Sequence, residues 1–396
     1  MIRTITFLLV LSPCLLMAQM WESIAPMPSG KHHPVTFTLD GMGYAITGTE
    51  GIRFATDDVF QYDPVNDQWN TLNDFPGAER SFAIGQAYNG KGYLGFGFAN
   101  GSYFNDIWEY DPATDSWKIL TVCDCIGRRH PAFVIKNDKI FVGLGDGIPG
   151  DLADWHVYDM VNDTWNRVND IPGDERHHPF MFPAGDDMYV GMGHHANLIY
   201  KDWYKFDVDT ETWEVLDDFP GEARVAGTQF GHAGKGYVLS GDGDNHDFMA
   251  TGEFWEYEPS TDAWTELTAH PGISLWAPGS FVIEGTVYFL GGQNRQTNVI
   301  QNTAWKYELT PQAPSSIAAL KQVAEVNIYP NPAKDVLYIQ SEEVLTRIRL
   351  ISMTGMEVLE TSYASTIDIS PLSPGIYFVQ GQTASGASFT QKVMIQ

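Results

Sequence analysis

Six tryptophans recur at an almost constant spacing through the first three quarters of this 396-residue chain. Five are 48 residues apart and the sixth follows after 51: Trp21, Trp69, Trp117, Trp165, Trp213 and Trp264. The segments between them are short alternating runs of polar and apolar residues separated by Gly, Asn and Asp, a pattern typical of β-hairpins. A period of this length means that one supersecondary unit is repeated, which predicts an all-β fold.

Two further columns of the repeat divide each unit into four strands. One is aromatic: Phe60, Trp108, Trp155, Trp203, Trp255 and Trp305. The other is a turn: Tyr62-Asp63, Tyr110-Asp111, Tyr158-Asp159, Phe206-Asp207 and Tyr257-Glu258. Units of about 40 to 50 residues with four strands and a tryptophan are typical of the blades of β-propellers.

The number of inner hairpins predicts the number of blades. Six hairpin turns are visible: Asp40-Gly41, Asn89-Gly90, Asn137-Asp138, Asp186-Asp187, Ala233-Gly234 and Glu284-Gly285. The last unit lacks a fourth strand after Trp305, whereas a spare copy, Trp21-Glu22-Ser23-Ile24, stands near the N-terminus. We therefore predict a six-bladed propeller over residues 19–309, closed by its N-terminal strand so that no sheet edge is left exposed.

The repeat resembles the kelch-repeat β-propellers. The resemblance rests on paired glycines after the second strand (Gly291-Gly292, with the variants Gly143-x-Gly145 and Gly191-x-Gly193), on the aromatic-x-Tyr-Asp-Pro turn, and on the tryptophan six residues after its Asp. The full Gly-Gly pair occurs once, and several units carry Phe-Pro-Gly before an Arg. In both features the chain resembles the divergent kelch proteins related to galactose oxidase and N-acetylneuraminate epimerase.

The C-terminal segment, residues 323–396, has a different pattern. It contains no Trp, and seven short strands can be predicted in it, which indicates a small Ig-like β-sandwich. Its motifs are Tyr329-Pro330-Asn331-Pro332-Ala333, Asp335-x-Leu337-x-Ile339, Gly355 followed by Val358, and Leu372-x-x-Gly375-Ile376-Tyr377-Phe378-Val379. They resemble the C-terminal sorting domain of Bacteroidetes type IX secretion substrates. The resemblance implies the type IX machinery as a partner and export across both membranes.

The remaining segments fit an exported protein. Residues 1–18 have the Arg3 charge, short apolar core and small Ala18 of a signal peptide, although a lipoprotein signal at Cys14 is an alternative. Residues 310–322 are a linker rich in Pro, Ser and Ala. Because no apolar stretch reaches membrane length, we expect no membrane span and a secreted or outer-surface location reached through the periplasm. The net charge of −27 argues against nucleic acid as a partner.

The predicted site lies at one end of the blades, where the connections from strand 4 to the next strand 1 and from strand 2 to strand 3 meet. Counted from the repeat tryptophan, position +11 holds Arg80, Arg128, Arg176 and Arg224, with Leu275 in the last unit and Lys31 one residue early. Position +13 and its counterpart hold His33, His130 and His178; the 2–3 connections add His194 and His246. Trp276, outside the repeat columns, stands beside the missing sixth Arg.

Two interpretations of these columns remain open. The arginines could bond carbonyls of their own blade or the neighbouring Glu79, Glu175 and Glu222, as scaffold. Alternatively, the Arg and His side chains bind an anionic group such as a sugar carboxylate, since Arg pairs with carboxylates bidentately. In that case binding should strengthen below neutral pH, as His gains charge near its usual pKa of about 6.5, and should weaken with salt.

Metal and cysteine chemistry is weakly indicated by the sequence. No cofactor is predicted; Asp242, Asp244 and His246 hint at a calcium loop but lack the spacing of the helix-flanked type. After signal cleavage only Cys123 and Cys125 remain, either as thiols or as a local disulfide. Galactose oxidase chemistry requires a copper-bound tyrosine cross-linked to a cysteine. Because the two remaining cysteines share one loop, we do not expect that activity.

Three classes of function remain. The first is a secreted or surface binding module for a glycan or an extracellular protein, which we favour. The second is an enzyme on acidic sugars, similar to the kelch-type sialic acid mutarotase, and the third is a structural surface or adhesion protein. The chain has no Gly-x-Ser-x-Gly, no His-Glu-x-x-His and no Gly-rich phosphate loop, so catalytic residues are not identified from the sequence.

Overall fold

The chain is almost entirely β-structure. The structure is a computed structural model that describes residues 20–148, 150–309, 326–341, 345–352, 357–361, 366–383 and 388–396. Among these, the single helical element is the short 3-10 helix Asp244–His246, so the predicted all-β class is confirmed. The chain divides into two compact units, Met1–Thr310 and Pro311–Gln396. The predicted signal peptide (1–18) and linker (310–322) lie outside the described residues.

Six antiparallel sheets of four strands build the first unit. Sheet 1 contains Val35–Leu39, Met42–Ile46, Val59–Asp63 and Gln68–Thr71; sheet 2, Ile84–Tyr88, Lys91–Gly95, Ile107–Asp111 and Ser116–Ile119; sheet 3, Ala132–Lys136, Lys139–Gly143, Trp155–Asp159 and Thr164–Val168. Sheet 4 contains Phe180–Ala184, Asp187–Gly191, Trp203–Asp207 and Thr212–Leu216; sheet 5, Thr228–His232, Lys235–Leu239, Gly252–Glu258 and Ala263–His270; sheet 6, Gly279–Ile283, Thr286–Leu290, Ala304–Glu308 and Glu22–Ile24. Two-stranded ribbons lie in three of the 2–3 connections: Phe98–Ala99 with Ser102–Tyr103, His194–His195 with Leu198–Ile199, and Gln293–Asn294 with Val299–Ile300.

Each sheet begins with the predicted hairpin. In five of the six turns both central residues have positive φ, as at Asp40 (51°) and Gly41 (75°). This is the turn geometry that matches the twist of the flanking strands. The turn of sheet 4 lies one residue earlier than predicted, at Gly185-Asp186, because Asp187 already belongs to the second strand.

The first strands of the six sheets pack against one another in sequence order. Each contacts the first strands of the preceding and following sheets, and that of sheet 6 contacts that of sheet 1. The fourth strand of sheet 6 comes from the other end of the unit: Glu22–Ile24 pairs with the third strand, Ala304–Glu308, as its sequence predicts. Residues far apart in the chain are therefore joined in one sheet.

The aromatic columns of the repeat join and stiffen the sheets. Trp69 donates its indole N–H to the carbonyl of Ala25, and Trp165 and Trp213 make the same bond to residues 44 positions earlier. Within a sheet, the Tyr62 hydroxyl donates to Asp67 at 2.8 Å, which fixes the turn between the third and fourth strands. Three other sheets repeat this bond, from Tyr110, Tyr158 and Tyr257. Apolar clusters fill the space between consecutive sheets, where each buried large side chain contributes about 1.5–3 kcal/mol.

The second unit contains two sheets. One holds Val326–Tyr329, Val336–Ser341 and Thr366–Asp368; the other holds Glu357–Thr361, Leu345–Ser352, Gly375–Thr383 and Ser388–Ile395. All seven predicted strands are present, and buried aliphatic residues of both sheets form one core. The side chain of Asn331 explains part of the Tyr-Pro-Asn-Pro motif. It donates to the carbonyl of Lys392 and accepts from the N–H of Met394, and thereby ties this segment to the last strand.

Candidate functional site

The 4–1 and 2–3 connections lie together at one end of the six sheets, as predicted. A residue of each 4–1 connection forms a β-bridge with a residue of a 2–3 connection: His32 with Thr49, Ser81 with Phe98, Arg129 with Asp146, His177 with His194, Val225 with Asp242, and Trp276 with Gln293. The first residue named in each of these pairs occupies position +12 of the repeat, or its counterpart in the first unit. Trp276 therefore belongs to a repeat column after all, one that the sequence analysis did not consider.

The glycines that follow the second strands allow these connections to approach closely. Gly145 has φ of +95°, and a Cβ there would lie 2.8 Å from the carbonyl oxygen of Arg129. Its N–H donates to the carbonyl of Arg176 in the next connection at 2.8 Å. Only glycine combines this backbone conformation with this contact.

The four arginines at position +11 do not reach the surface, which corrects the prediction that they bind a ligand. Arg80, Arg128, Arg176 and Arg224 have relative exposures of 0%. In Arg128, for example, the two Nη atoms donate to the carboxylate of Asp154 at 2.8 and 3.0 Å, and Nη1 also donates to the carbonyl of Leu144. Buried cations require this complete pairing, because an unpaired buried charge costs several kcal/mol.

The predicted bonds to carbonyls of the same sheet are present, but the acidic partners differ from the neighbouring Glu residues. The acid lies 26 residues after the Arg in three cases, as with Asp106 for Arg80, and 29 residues after Arg224, at Glu253. Glu79 instead pairs with the exposed Arg53. Burial alone would raise the pKa of Asp106, but the hydrogen bonds and charge of Arg80 outweigh it and lower that pKa. Lys31 is paired similarly, with Asp58 at 2.8 Å. The scaffold interpretation therefore holds for position +11.

Two residues further along, the same connections form a ring that we call the mouth ring: His33, Phe82, His130, His178, Ala226 and Ala277. All six have φ between 50° and 60°, a left-handed conformation that is uncommon for residues other than glycine. Backbone N–H groups link neighbouring members, as from His130 to the carbonyl of Phe82 at 3.0 Å and from His178 to that of His130 at 3.2 Å. This backbone ladder fixes where the six side chains point.

The three histidines of the mouth ring converge. The Nε2 atoms of His33 and His178 are 3.0 Å apart, and the rings of His130 and His178 stack with centroids 3.4 Å apart. The three residues each offer one nitrogen within 4.8 Å of the others. Burial, together with neighbouring cationic and imidazole groups, lowers the pKa of all three well below 6.5. The predicted gain of positive charge just below neutral pH is therefore wrong for these residues.

A second group of histidines adjoins the mouth ring. His177 contacts His194 with ring centroids 3.9 Å apart, and His194 contacts His246 at 4.4 Å. Asp151, which the sequence analysis did not single out, accepts from Nδ1 of His177 at 2.6 Å and of His195 at 2.9 Å. Burial lowers the pKa of His194 to about 4. The predicted His194 and His246 are thus brought into the same region as the mouth ring.

An exposed aromatic patch surrounds Arg129 on the side of sheets 1 to 3. Phe54 is 51% exposed and contacts Phe98 at 6.0 Å between centroids. The guanidinium of Arg129 lies 5.5 Å from the Phe98 ring and 5.8 Å from those of Phe82 and Tyr103. Its Nε binds Asp146 at 2.5 Å, while its Nη atoms make no hydrogen bond within the described part of the chain. The doublet Arg128-Arg129 is the sequence signal that could have identified Arg129. Only one of the two arginines can fill the buried position +11, so the other is left at the surface.

A second aromatic and cationic pair lies at Trp276. Arg295 stacks on the Trp276 indole at 5.2 Å and lies 3.6 Å from Asp242. The indole also contacts His32 and His33, at 4.8 and 4.6 Å. Burial, partly offset by Arg295, raises the pKa of Asp242 to about 6. Trp276 therefore borders the mouth ring.

A cavity of about 310 Å³ lies between the first strands of the six sheets, and the mouth ring closes one end of it. Every first strand contributes to its wall, with small residues such as Gly85, Gly227 and Ser280 alongside Phe133 and Phe281. The mouth ring thus separates this cavity from the exposed patch around Arg129.

The two remaining sequence candidates have other roles in the structure. Cys123 and Cys125 form a disulfide, the second of the two alternatives. Asp242, Asp244 and His246 do not converge into a metal-ligand group among the described residues. Two histidine groups do: His33 with His130 and His178, and His177 with His178 and His194.

Comparison with known proteins identifies the C-terminal unit. Residues 327–396 match the family described as secretion system C-terminal sorting domain, which indicates export by type IX secretion to the cell surface or to the outside. No curated protein matches the chain. Within the described residues, no helix has the length and apolar character needed to cross a membrane.

Proposed function

We propose that residues 19–309 form a six-bladed β-propeller of the kelch type, closed by the N-terminal strand, and that residues 323–396 form an Ig-like β-sandwich joined to it by the linker 310–322. The propeller is supported by six four-stranded sheets, by the contacts of each first strand with two others, and by the pairing of Glu22–Ile24 in sheet 6. Residues 1–18 act as the signal peptide that precedes type IX export.

Closure of the propeller is tested by two deletions. Removing residues 19–27 takes away the fourth strand of sheet 6 and exposes the edge of Ala304–Glu308. Removing residues 310–396 takes away a separate compact unit. The shorter deletion should lower the melting temperature of the first unit more than the longer one. An unchanged melting temperature after the shorter deletion contradicts closure.

The exported propeller is proposed to be a binding module for glycans that carry a carboxylate. The single observation behind this proposal is the patch around Arg129, where three rings surround a guanidinium that is 32% exposed. Its Nη atoms have no hydrogen-bond partner in the part of the chain that the structure describes. Aromatic faces suit the apolar faces of sugar rings, and the Nη edge suits a carboxylate. The patch lies beside the mouth ring and does not use the buried arginines.

Titration calorimetry with uronic-acid oligosaccharides and their neutral counterparts tests this function. Acidic glycans should bind more tightly, and added salt should weaken them because charge pairs near a surface are screened over about 8 Å at physiological ionic strength. Arg129→Gln should remove the preference for the acid. Arg167→Gln is the matched control, since Arg167 is exposed and paired with Asp170 on an outer strand. Equal binding of acidic and neutral glycans, or no binding, contradicts the proposal.

A mutarotase-like activity on acidic sugars is a second candidate, favoured by Asp242. A carboxyl with a pKa near 6 beside an arginine is poised for proton transfer at neutral pH. Exchange NMR of uronic or sialic acid anomers should then show faster interconversion with the protein than with Asp242→Asn. Equal rates for the two proteins exclude this activity at Asp242.

A further inference from the structure

The geometry points to a metal site at the centre of the mouth ring. A single Zn²⁺ ion is bound there by one imidazole nitrogen from each of His33, His130 and His178. The inference goes beyond the proposed glycan binding and does not depend on it. It replaces the sequence-based prediction that no metal is bound.

The spacing of the nitrogens fits one ion. Zinc–imidazole bonds are about 2.0–2.1 Å long, so two ligands of a tetrahedral ion lie roughly 3.4 Å apart. The Nε2 atoms of His33 and His178 are 3.0 Å apart, and a nitrogen of His130 lies within 4.8 Å of the other donors. Small rotations of the side chains bring these separations to the required value.

Two of the three rings, those of His130 and His178, have incomplete hydrogen bonding among the described residues. Both ring nitrogens of His130 and the Nδ1 of His178 are buried and have no partner among the described residues. Buried polar atoms are seldom left unpaired in folded proteins. A bound cation would take up the lone pair of one His130 nitrogen together with those of Nε2 of His33 and His178.

The backbone holds the three ligands in place before a metal arrives. They come from three different sheets, at equivalent positions with φ of 54°, 50° and 53°. The N–H of His33 is bound to Ala277, and that of His178 to His130, in the backbone ladder. Nδ1 of His33 also contacts Nδ1 of His32 at 2.7 Å, which orients the His33 ring with Nε2 toward the other two. Such preorganisation from outside the ligand set raises metal affinity.

The donor set selects the class of metal. Three imidazoles and no carboxylate make up this group, a set that suits Zn²⁺ and neighbouring transition metals and is poor for Ca²⁺ or Mg²⁺, which prefer oxygen. Three protein ligands leave the fourth position of a tetrahedral ion free for water or an external ligand.

The neighbouring group of His177, His178 and His194 is the competing arrangement, because it shares His178. Nδ1 of His177 is already bound to Asp151 and Nδ1 of His194 contacts the carbonyl of Ala196 at 3.3 Å. Contacts of this kind at Nδ1 are also typical of metal-bound imidazoles and do not exclude this group. The mouth ring is favoured because both ring nitrogens of His130 are buried without a partner among the described residues, and single variants separate the two groups.

The test uses the full chain without a polyhistidine tag, stripped with a chelator and titrated with Zn²⁺ in a calorimeter. One ion per chain should bind. His33→Phe and His130→Phe should each weaken binding at least about 100-fold, while His194→Phe should leave affinity within about threefold. Phe is chosen because Phe82 occupies an equivalent position of the ring with φ of 60°.

Three results would overturn the site. One is the absence of Zn²⁺ binding in the unaltered chain, and another is full affinity in both His33→Phe and His130→Phe. The third is loss of binding in His194→Phe alone, which would place the ion in the neighbouring group. X-ray absorption of the Zn²⁺-loaded unaltered chain should show three imidazole ligands, and fewer than three contradicts the proposal even if the variants fail to fold.

Discussion

Two sets of polar side chains, two residues apart in the same connections, behave in opposite ways. The arginines at position +11 are fully buried and paired with acids. Arg128, for example, donates to one carboxylate and to two carbonyls. The histidines of the mouth ring are half-buried, and three of their ring nitrogens are buried without a partner among the described residues. The first set completes its own hydrogen bonds except at one Nη atom of Arg224, which has no partner among the described residues, whereas the second set leaves more of its polar atoms unpaired.

The comparison teaches how to separate scaffold from site when both are repeated. A repeated residue whose partner is repeated at a fixed distance, as Asp106 and Asp154 are for Arg80 and Arg128, serves each sheet by itself. A repeated position whose side chains meet those of other sheets, as His33 meets His178, serves the centre of the assembly. Hydrogen-bond satisfaction is therefore a better guide to function here than charge.

The largest expected effect is on the arginine set. Arg128→Gln should destabilise the first unit by about 3–5 kcal/mol, because it leaves the carboxylate of Asp154 buried without its cation. Urea unfolding followed by tryptophan fluorescence measures this loss. Combining Arg128→Met with Asp154→Leu should recover most of it, since a well-packed apolar pair replaces both charges. A loss below about 1 kcal/mol in Arg128→Gln would show that the arginines are not scaffold.

An intermediate effect is expected at His270, a buried polar residue that is paired and can titrate. It lies before Leu275, which takes the place of the sixth arginine, and its Nε2 contacts the hydroxyl of Ser240 at 3.0 Å. Burial lowers its pKa from 6.5 to about 4, so the unfolded chain binds this proton first as the pH falls. The contribution of the neutral His270 ring to the unfolding free energy is intact above pH 6.5. It is lost progressively as the pH falls to about 4, by up to about 3 kcal/mol.

This prediction is measured as a difference between two proteins. The unfolding free energies of the unaltered chain and His270→Gln, determined from pH 7.5 to 4, should converge as the pH falls, because Gln does not titrate. Groups common to both proteins, including Asp242 with its raised pKa, cancel in the difference. A difference that is independent of pH would show that His270 has the same pKa in the folded and unfolded states.

The smallest effect on stability is expected in the mouth ring. His130→Phe should change the unfolding free energy of the metal-free chain by less than about 1 kcal/mol, or raise it, because it removes two unpaired buried nitrogens. Phe82 already shows that a phenyl ring is accepted at an equivalent position. Chemical denaturation of His130→Phe and Arg128→Gln under the same conditions measures the difference between their losses of unfolding free energy. A loss of more than about 2 kcal/mol would place His130 with the scaffold.

Much of the architecture could be predicted from local pattern. Turn residues such as Asp40-Gly41 adopt the expected positive φ because their hairpins depend on only a few neighbouring residues. The spare strand near Trp21 could be assigned to the last sheet because the repeat showed which strand was missing there. The seven strands of the C-terminal unit were likewise predicted from their sequence.

The site could be predicted only in part. The sequence analysis placed His33, His130, His178 and Trp276 at one end of the sheets, where they are found. It could not tell that Arg128 faces inward while Arg129 remains accessible, since the two are adjacent and chemically identical. Asp151, Phe54 and Arg295 lie in connections outside the repeat, so no column drew attention to them.

The sequence by itself determined the repeated unit, its four strands and the end of the sheets where polar residues gather, because these follow from alternation and turn chemistry over a few residues. Only the tertiary structure decided which polar groups are satisfied. The partner of Arg80 lies 26 residues away at the same sheet, and that of His33 lies 145 residues away at a different sheet. Pairing of buried charges and convergence of imidazoles depend on distances across the assembly, which no local pattern encodes.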